Sequence, residues 1–432
     1  MLDIRFIRDN ADLVQESARN KGYDVNIQKL LDLDIERRDL QKQVDELRAK
    51  RKVIVSDAKG QRPTDALVDE GRAIKEQLTH LEVQYKSVDE RYTDILKQIP
   101  NIASFDVPVG TSEDENIVTK IYGDIPKFDF QPRSHAEIAV EHDWMDKVRA
   151  AKVTGSRFTY IKGDLVKLQF AIIQFIMDKL TNQTFIDSVI KENSLVVSNK
   201  VFVPILPPLM LRTELYDAMD RLDPREDRYK IEGDDLWLQG SAEHVLGSMH
   251  ADEIIDEDNL PLRYLGYATS FRREAGTYGK DMEGMFRMHQ FDKLEMESLG
   301  VAEVGMDEHL FLIAIQEKIM QLLGIPYQVM LKCTFDIGKP NARGVDINAW
   351  MPGQNQYRET HTADYMTDYQ ARRLKTRVRR ADGSVELIHT NDATALPLSR
   401  GPIAIIENNQ TIDGNVNIPK VLQPYLNNRA VI

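Results

Sequence analysis

Apolar residues in the first hundred positions recur at alternating steps of three and four. One such series runs over residues 67–99, and a second runs over 30–54 with Arg37 and Arg51 at two of its positions. This spacing predicts two helices that each carry an apolar seam. Residues 57–64, which include a glycine and a proline, interrupt the two helices. Because each seam needs a partner, the pattern predicts an antiparallel two-helix coiled-coil arm about 45 Å long.

Beyond a linker at residues 102–110, the pattern changes to mixed helix and strand. Residues 166–180 are strongly apolar and predict one helix, and residues 196–207 are β-like. Four alternating segments then predict short strands, at residues 236–244, 264–275, 285–297 and 345–353. Strands in hairpin order, with helices in separate blocks, are typical of an antiparallel sheet in an α+β fold. We therefore expect an N-terminal domain over residues 1–110 and a second domain over residues 111–432.

The charge of the chain is unevenly distributed. Its 56 Lys and Arg residues stand against 69 Asp and Glu, which gives a formal net charge of −13. A nucleic acid would therefore have to bind a local basic patch. Residues 48–62 form such a patch with one acid and six basic residues, Arg48, Lys50, Arg51, Lys52, Lys59 and Arg62. This patch predicts contact with a phosphate backbone, and a solvated coiled-coil end is an equally good interpretation.

Composition also bears on the cellular compartment. Hydrophobic residues make up 42% of the chain and charged residues 29%, as expected of a folded globular protein. Cys333 is the only cysteine, which excludes an internal disulfide bond and favours a reducing compartment. No apolar run reaches the roughly 18 residues of a membrane helix, and the first residues do not resemble a signal or transit peptide. The sequence thus predicts a cytoplasmic protein without membrane contact.

The segment from Ser270 to Glu297 has the densest candidate chemistry. At a period of two, the second of its two predicted strands places a set of charged and aromatic side chains on one side: Arg287, His289, Phe291, Lys293 and Glu295. The first strand carries Arg272 and Glu274 on one face. Such faces suit a triphosphate, a stacked purine and an ammonium or hydroxyl group. A solvated face of an antiparallel sheet is the alternative interpretation.

Several segments resemble those of the seryl-tRNA synthetases, a family of class II aminoacyl-tRNA synthetases, in both order and spacing. Besides the arm, these are GSRFTYIKGD (155–164), Pro207-Pro208, FRREAGTYGKDMEGMFRMHQFDKLE (271–295), YRETHTADYMTDYQARR (357–373) and NDATALPLSRGPIAIIENNQ (391–410). The resemblance implies a class II antiparallel sheet flanked by helices and a homodimer formed through the segment around Pro207. It also implies activation of L-serine by ATP and transfer to the 3′ end of tRNA(Ser), with the arm gripping the tRNA.

The resemblance assigns roles to individual residues of an ATP site. Arg272 and Arg400 correspond to the catalytic arginines, the first on the α-phosphate and the amino-acid carboxylate and the second on the γ-phosphate. Glu274 would accept from the adenine amino group, Phe291 would stack on the purine, and Arg287 would reach the outer phosphates. The matching segments also place Arg273, Thr360 and His361 in the ATP site.

The same resemblance predicts a metal site within the ATP site. Glu359 and Thr362 correspond to the pair that binds the Mg²⁺ ion bridging the phosphates. A carboxylate and a hydroxyl are hard oxygen ligands, as Mg²⁺ requires. His361 lies between them, but no second histidine or cysteine stands at the spacing of zinc ligands.

Selection of serine is implied to depend on a small polar pocket. Its predicted members are Glu295 and Thr394 for the hydroxyl, Ser241, Ala242 and Glu243 near the amino group, and Arg272 on the carboxylate. Ser241 stands where the family usually has threonine and keeps the hydroxyl. The stretch from Asn391 to Arg400 has one residue more than the common spacing, and aligning it from Arg400 puts Thr394 at the hydroxyl-binding position.

Two functions of other classes fit parts of the pattern. A synthetase-like enzyme that charges a carrier protein would lack the arm and use zinc, whereas this chain has the arm and one cysteine. A non-catalytic protein that keeps the fold as a scaffold would lose the ATP-site charges, and all of them are present here. Serine–tRNA ligation is the prediction that accounts for the whole chain.

Overall fold

The structure is a computed structural model that describes residues 1–57, 64–274 and 284–432. It divides into two units, Met1–Ile102 and Ala103–Ile432. Within the described ranges, no helix combines the length and the apolar content that crossing a membrane requires.

The first unit is helical. Its helices are α1 (Ile4–Asp9), α2 (Ala11–Asn20), α3 (Ile27–Asp57) and α4 (Asp65–Gln98). Arg37 of α3 pairs with Asp89 of α4 at 3.3 Å, whereas Arg48, farther along α3, pairs with Glu82, nearer the start of α4, at 2.9 Å. The two long helices therefore run antiparallel. The coiled-coil arm predicted from the sequence is confirmed.

The seam between α3 and α4 is apolar along most of its length. Its buried residues and those packed against them are Val44, Leu47, Ile54, Ile74, Leu78 and Leu81. Arg37, a predicted seam residue, lies with its guanidinium 4.4 Å from the centre of the Tyr92 ring and 3.7 Å from Asp34. Stacking on the Tyr92 ring and the ion pair with Asp34 stabilise the charge of Arg37 beside the seam. Arg51, the other predicted arginine, is exposed.

The second unit is built, in its described residues, on a sheet of eight strands in the order β1-β10-β11-β12-β15-β9-β8-β4. Neighbouring strands are antiparallel, apart from the parallel pair β4 and β8. The strands of the unit are β1 (Ile117–Tyr122), β2 (Met145–Asp146), β3 (Tyr160–Ile161), β4 (Val203–Ile205), β5 (Met210–Arg212), β6 (Leu236–Leu238), β7 (Ile254–Asp256), β8 (Leu262–Phe271), β9 (Gln290–Gly300), β10 (Tyr327–Leu331), β11 (Arg343–Met351), β12 (Gln356–Thr367), β13 (Arg377–Arg379), β14 (Val385–Leu387) and β15 (His389–Pro397). The predicted α+β fold with an antiparallel sheet is confirmed.

Helices cover the large sheet and close its core. They are α5 (His135–Glu141), α6 (Lys147–Thr154), α7 (Gly163–Leu180), α8 (Gln183–Glu192), α9 (Thr213–Ala218), α10 (Glu243–Leu246), α11 (Gly305–Leu323), α12 (Tyr369–Leu374) and α13 (Arg400–Asn408). Helix α11 packs against β12 and β15, and α13 packs against β11 and β15. Their apolar residues share one core cluster with the inward-facing residues of the sheet. The helix predicted over residues 166–180 is α7.

Several strands are shorter than the sequence predicted. In residues 196–207 only β4 is a strand, and it ends before Pro207 and Pro208, which lack the N–H that a sheet ladder uses. In residues 236–244, β6 ends at Leu238 and the chain goes on to helix α10. Strand β8 ends at Phe271 and β9 begins at Gln290. Arg272, Glu274, Arg287 and His289 therefore lie outside the strands on which we expected them, and Glu274 has a positive φ of 52°.

Strands β12 and β15 each carry an extra residue that changes which side chains face the same way. In β12, His361 pairs with Ile347 and Glu359 pairs with Asn348, so Thr360 is the extra residue. In β15, Thr394 pairs with Glu295 and Leu396 pairs with Leu294, so Ala395 is the extra residue. Such bulges bend a strand and re-aim its side chains, and they are frequent beside active sites.

Candidate active site

A cleft of about 620 Å³ opens over the polar face of the large sheet. This volume includes space that is open to solvent. Nine residues predicted from the sequence line it, Arg272, Glu274, Arg287, Phe291, Glu359, Thr360, Thr362, Thr394 and Arg400. Phe286, Met288, Lys293, Pro397 and Ser399 complete the described lining.

Arg272 enters the cleft from the end of β8. Its Nε–H donates to the carbonyl of Gly240 at 2.9 Å, and its guanidinium lies 5.4 Å from the centre of the Phe291 ring. Since Gly240 holds Nε, the terminal nitrogens are the ones that a ligand in the cleft would meet. Phe291 itself projects from β9, where the predicted period of two holds from residue 291 onward.

Two further arginines face the same space. Arg287 pairs with Glu274 at 3.3 Å, although neither lies on a strand. Arg400 begins helix α13, and its Nη1 lies 2.9 Å from a carboxylate oxygen of Glu359 and 2.9 Å from the Glu359 carbonyl. Phe286 lies between two guanidinium groups, 4.1 Å from that of Arg358 and 4.6 Å from that of Arg400. These cation–π contacts fix the position of Arg400.

The bulge at Thr360 puts Glu359 and Thr362 on the same face of β12. Their partners on β11 are Asn348 and Asp346, which are two residues apart and therefore share a face. Burial acts to raise the pKa of Glu359, but Arg400 and Lys332 outweigh it and hold that pKa below its ordinary value. The hydroxyl of Thr362 is buried and has no hydrogen-bond partner among the described residues. An ionised carboxylate and an unpaired hydroxyl oxygen fit a hard cation such as Mg²⁺.

Two residues predicted for the ATP site lie elsewhere. His361 is on the opposite face of β12, where its Nδ1 meets the Thr360 hydroxyl at 2.8 Å. Burial lowers the pKa of His361 to about 3, so it is neutral at pH 7. Arg273 is exposed and lies 4.8 Å from the centre of the Tyr229 ring, away from the described cleft lining.

Lys293 joins three predicted members of the serine pocket below the cleft. Its ammonium contacts the carboxylate of Glu295, lies 3.6 Å from that of Glu243, and donates to the hydroxyl of Thr394 at 3.4 Å. Ser241 and Ala242 are fully buried just before Glu243, which begins α10. None of Ser241, Ala242, Glu243 and Glu295 reaches the described lining itself.

The electrostatics of this inner region are dominated by carboxyls. Burial raises the pKa of Glu295 to about 8 against the attraction of Lys293. Burial also opposes the charge of Lys293, but Glu295 and Glu243 outweigh it and raise the lysine pKa. Behind them, Glu297 pairs in register with Asp392, and burial raises the pKa of both carboxyls well above their ordinary values. Arg221, 3.5 Å from Asp392, is the nearest described cation to that pair.

The site thus has an outer half, in the cleft, and an inner half, in the buried region below it, and the two are opposite in character. The outer half, defined by Arg272, Glu274, Arg287, Glu359 and Arg400, is partly exposed and has more arginines than carboxylates. The inner half, defined by Glu243, Lys293, Glu295 and Thr394, is buried and has more carboxyls than cations.

Lys293 is the functional residue that the sequence reasoning left out of the site. At a period of two, Lys293 lies between Phe291 and Glu295 on the same face of the strand. This position alone would have justified predicting it as a site residue. Asn391, to which the sequence assigned no role, does not line the described cleft, and its side chain donates to the Gly305 carbonyl at 3.0 Å. Phe286 carried no signal in the sequence, because it lies in an irregular segment before β9.

Part of the predicted tRNA-binding patch can be located on the arm. Arg48, Lys50, Arg51 and Lys52 are exposed on the last turns of α3, and Arg48 pairs with Glu82. Lys59 and Arg62 lie outside the described residues.

Comparisons with known proteins decide the family. The profile of the seryl-tRNA synthetase N-terminal domain matches residues 1–103, and that of the tRNA synthetase class II core domain (G, H, P, S and T) matches residues 228–409. The serine–tRNA ligase of Dictyoglomus turgidum is 38% identical over 436 residues, which cover 99% of this chain and 98% of that protein. The chain belongs to the seryl-tRNA synthetase family.

Other seryl-tRNA synthetases match over the full length as well. The enzyme of Nitrosopumilus maritimus is 36% identical over 438 residues and covers 100% of both chains. The crystal structure of seryl-tRNA synthetase from Pyrococcus horikoshii complexed with ATP has a TM-score of 0.88 and 35% identity, covering 100% of this chain and 99% of that one. The cytoplasmic enzyme of Naegleria fowleri in complex with AMP has a TM-score of 0.83 and 28% identity, covering 100% and 98%. The predicted resemblance to seryl-tRNA synthetases is confirmed.

Proposed function

We propose that the cleft carries out both steps of serine–tRNA ligation, the activity of the family to which the chain belongs. In the first step, a carboxylate oxygen of L-serine attacks the α-phosphorus of ATP, the bond to the bridging oxygen breaks, and pyrophosphate leaves. In the second step, the 3′ hydroxyl of the terminal ribose of tRNA(Ser) attacks the carbonyl of seryl-adenylate and AMP leaves. Neither step needs a side-chain nucleophile, because the cleft supplies position and charge.

The outer half is the proposed nucleotide site. Arg272 and Arg400 stabilise the charge that develops on the phosphates during displacement, and Arg287 reaches the outer phosphates. Phe291 stacks on the purine, and Glu274 accepts from the adenine amino group. The start of helix α13 also presents N–H groups to anions near Arg400. The convergence of three arginines from separate segments on one cleft is the observation that carries the proposal.

Glu359 and Thr362 are the proposed ligands of a Mg²⁺ ion. The buried Thr362 hydroxyl, which no described residue satisfies, and the carboxylate of Glu359 on the same face support this assignment. When bound, the ion would neutralise part of the phosphate charge.

The inner half is the proposed serine site. Glu295 and Thr394 bond the substrate hydroxyl, and Glu243 pairs with its ammonium group. Lys293 bridges these residues, and its contacts keep Glu243 and Glu295 in place before serine arrives. A buried site of this kind rejects alanine, because its own polar groups would be left unpaired.

The arm is the proposed tRNA-binding element, with Arg48, Lys50, Arg51 and Lys52 on the phosphate backbone. We also propose a homodimer through the segment around Pro207 and a cytoplasmic location, on grounds of family resemblance. Deleting residues 30–97 should leave adenylation intact and abolish tRNA charging. Full charging by the shortened enzyme would refute the role of the arm.

Serine-dependent exchange of labelled pyrophosphate into ATP tests the first step. We expect exchange with L-serine and Mg²⁺ and none with alanine or glycine. Absence of exchange with serine would refute the catalytic assignment, and exchange with alanine or glycine in its place would refute the specificity.

A further inference from the structure

A buried histidine, His135, lies against Gly284 and Met285 beside the cleft. His135 is the first residue of α5 and is 3% exposed. Its Nε2 accepts a hydrogen bond from the N–H of Met285 at 3.4 Å. A Cβ on the neighbouring Gly284, which has φ of +59°, would lie 1.9 Å from the same nitrogen. The ring therefore occupies the space that any side chain at residue 284 would need.

Glu407 holds the other side of this ring. One of its carboxylate oxygens lies 2.8 Å from Nδ1 of His135 and also accepts the His135 backbone N–H at 3.1 Å. The second oxygen accepts the N–H of Gly353 at 3.0 Å. A fully buried carboxylate with three N–H donors is well satisfied and rigidly placed. Because Nε2 accepts from Met285, Nδ1 is the nitrogen that donates to Glu407, and the two contacts together fix the orientation of the ring.

The same helix connects this contact to the catalytic residues. Glu407 and Arg400 are seven residues apart on α13, which places them two turns apart on the same side of the helix. Arg400 stacks on Phe286, and Phe286 directly follows Met285. Arg400 is thus linked to Phe286 in two ways. One link is direct stacking, and the other runs along α13 to Glu407 and then through His135 and Met285.

We infer that His135, held by Glu407, is a positioning residue for ATP binding. By fixing Gly284 and Met285 it sets where the next two residues, Phe286 and Arg287, enter the outer half of the cleft. It does not touch the inner half, so serine binding should be insensitive to it. This inference rests on the proposed function of the cleft, and wild-type exchange activity checks that function independently.

Two substitutions of His135 separate its two contacts. In His135→Asn the amide can replace Nδ1 and keep the bond to Glu407, but it cannot reach Met285. In His135→Gln the amide oxygen can replace Nε2 and keep the bond to Met285. We expect His135→Asn to raise the KM for ATP in pyrophosphate exchange about tenfold, since small misplacements of binding groups cost this much or more. We expect the KM for serine to stay within about twofold, and His135→Gln to keep an ATP KM near that of the wild type.

A double-mutant cycle with Gly284 tests the contact directly. Gly284→Ala should raise the KM for ATP strongly, because the new Cβ meets the imidazole. His135→Asn/Gly284→Ala should be no worse than Gly284→Ala alone, because the smaller side chain gives the Cβ room and the strain of positive φ is common to both. His142→Asn, at the other end of α5, is the matched control; His142 bonds the Gly414 carbonyl outside the described cleft lining. Its ATP KM should equal that of the wild type.

The outcomes distinguish positioning from general support of the fold. The inference is overturned if the KM values for ATP and serine rise together, if His135→Asn equals the wild type, or if the effects of His135→Asn and Gly284→Ala simply multiply. Thermal unfolding of each variant identifies any that fail to fold, and if His135→Asn does, the comparison of His135→Gln with Gly284→Ala decides. Absence of serine-dependent exchange in the wild type would refute the proposed function instead.

Discussion

The two halves of the cleft neutralise charge in opposite ways. In the outer half, Arg272, Arg287 and Arg400 outnumber the carboxylates, and solvent reaches part of the surface. In the inner half, Lys293 stands among the carboxyls of Glu243 and Glu295 in a buried setting. An excess of cations suits a triphosphate, and an excess of carboxyls suits an ammonium group. The contrast indicates that each half has an unbalanced charge, which ATP would neutralise in the outer half and serine in the inner half.

Arg272 serves both halves, because it is proposed to contact both the α-phosphate and the serine carboxylate. We expect Arg272→Gln to lower kcat/KM for pyrophosphate exchange about 10³-fold, the loss typical of removing a group that stabilises transition-state charge. Arg149→Gln, an exposed arginine on α6 that pairs with Asp146, is the matched control. A loss of less than tenfold for Arg272→Gln would contradict the shared role.

Glu295 belongs to the inner half alone. We expect Glu295→Gln to raise the KM for serine about 100-fold, since it replaces the carboxyl group that bonds both the substrate hydroxyl and Lys293. The KM for ATP should stay within about twofold. Steady-state exchange kinetics at varied serine and at varied ATP give both values, and equal increases in the two would show that the halves are not independent.

Arg287 gives the converse test in the outer half. We expect Arg287→Ala to raise the KM for ATP about tenfold, as for loss of one charge-assisted contact, and to leave the KM for serine unchanged. The same kinetic experiment measures both. If serine binding weakened in parallel, the ion pair with Glu274 would have a wider structural role than the proposal gives it.

A separate test concerns how the stability of the protein depends on pH. The pKa of Glu295 is about 8 in the folded protein against an ordinary value of 4.5. Between these values the unfolded chain releases the proton while the folded protein keeps it, so Glu295 costs stability as pH rises from about 4.5 to 8. Glu295→Gln removes this cost. The midpoint of thermal unfolding of the variant, relative to the wild type, should therefore increase over that pH range, and parallel curves would contradict the raised pKa.

The arm was the region most fully predictable from the sequence. A repeat of three and four over some thirty residues leaves few alternatives to a helix, and the glycine and proline near residue 60 require a break. The period of two in β9 likewise placed Phe291, Lys293 and Glu295 together correctly. Both predictions depended on regular elements, in which spacing along the sequence determines direction in space.

The rest of the cleft could not be predicted in this way. A strict period of two puts Glu359 and His361 on one face, whereas the bulge at Thr360 puts Glu359 with Thr362. The ends of β8 and β9 are set by tertiary contacts, so the pairing of Arg287 with Glu274 was not visible in the alternation. The contact of His135 with Met285 joins residues 150 positions apart, and no local pattern encodes it.

The bulge at Thr360 also has a consequence for changes in chain length. Removing one residue between Glu359 and Thr362 would leave the two residues two positions apart in a regular strand, which keeps both oxygen ligands on one face. Inserting one residue there would turn one of the two into the apolar core. We therefore expect this short stretch to tolerate the loss of one residue far better than the gain of one, even though it lies in a strand and not in a catalytic loop.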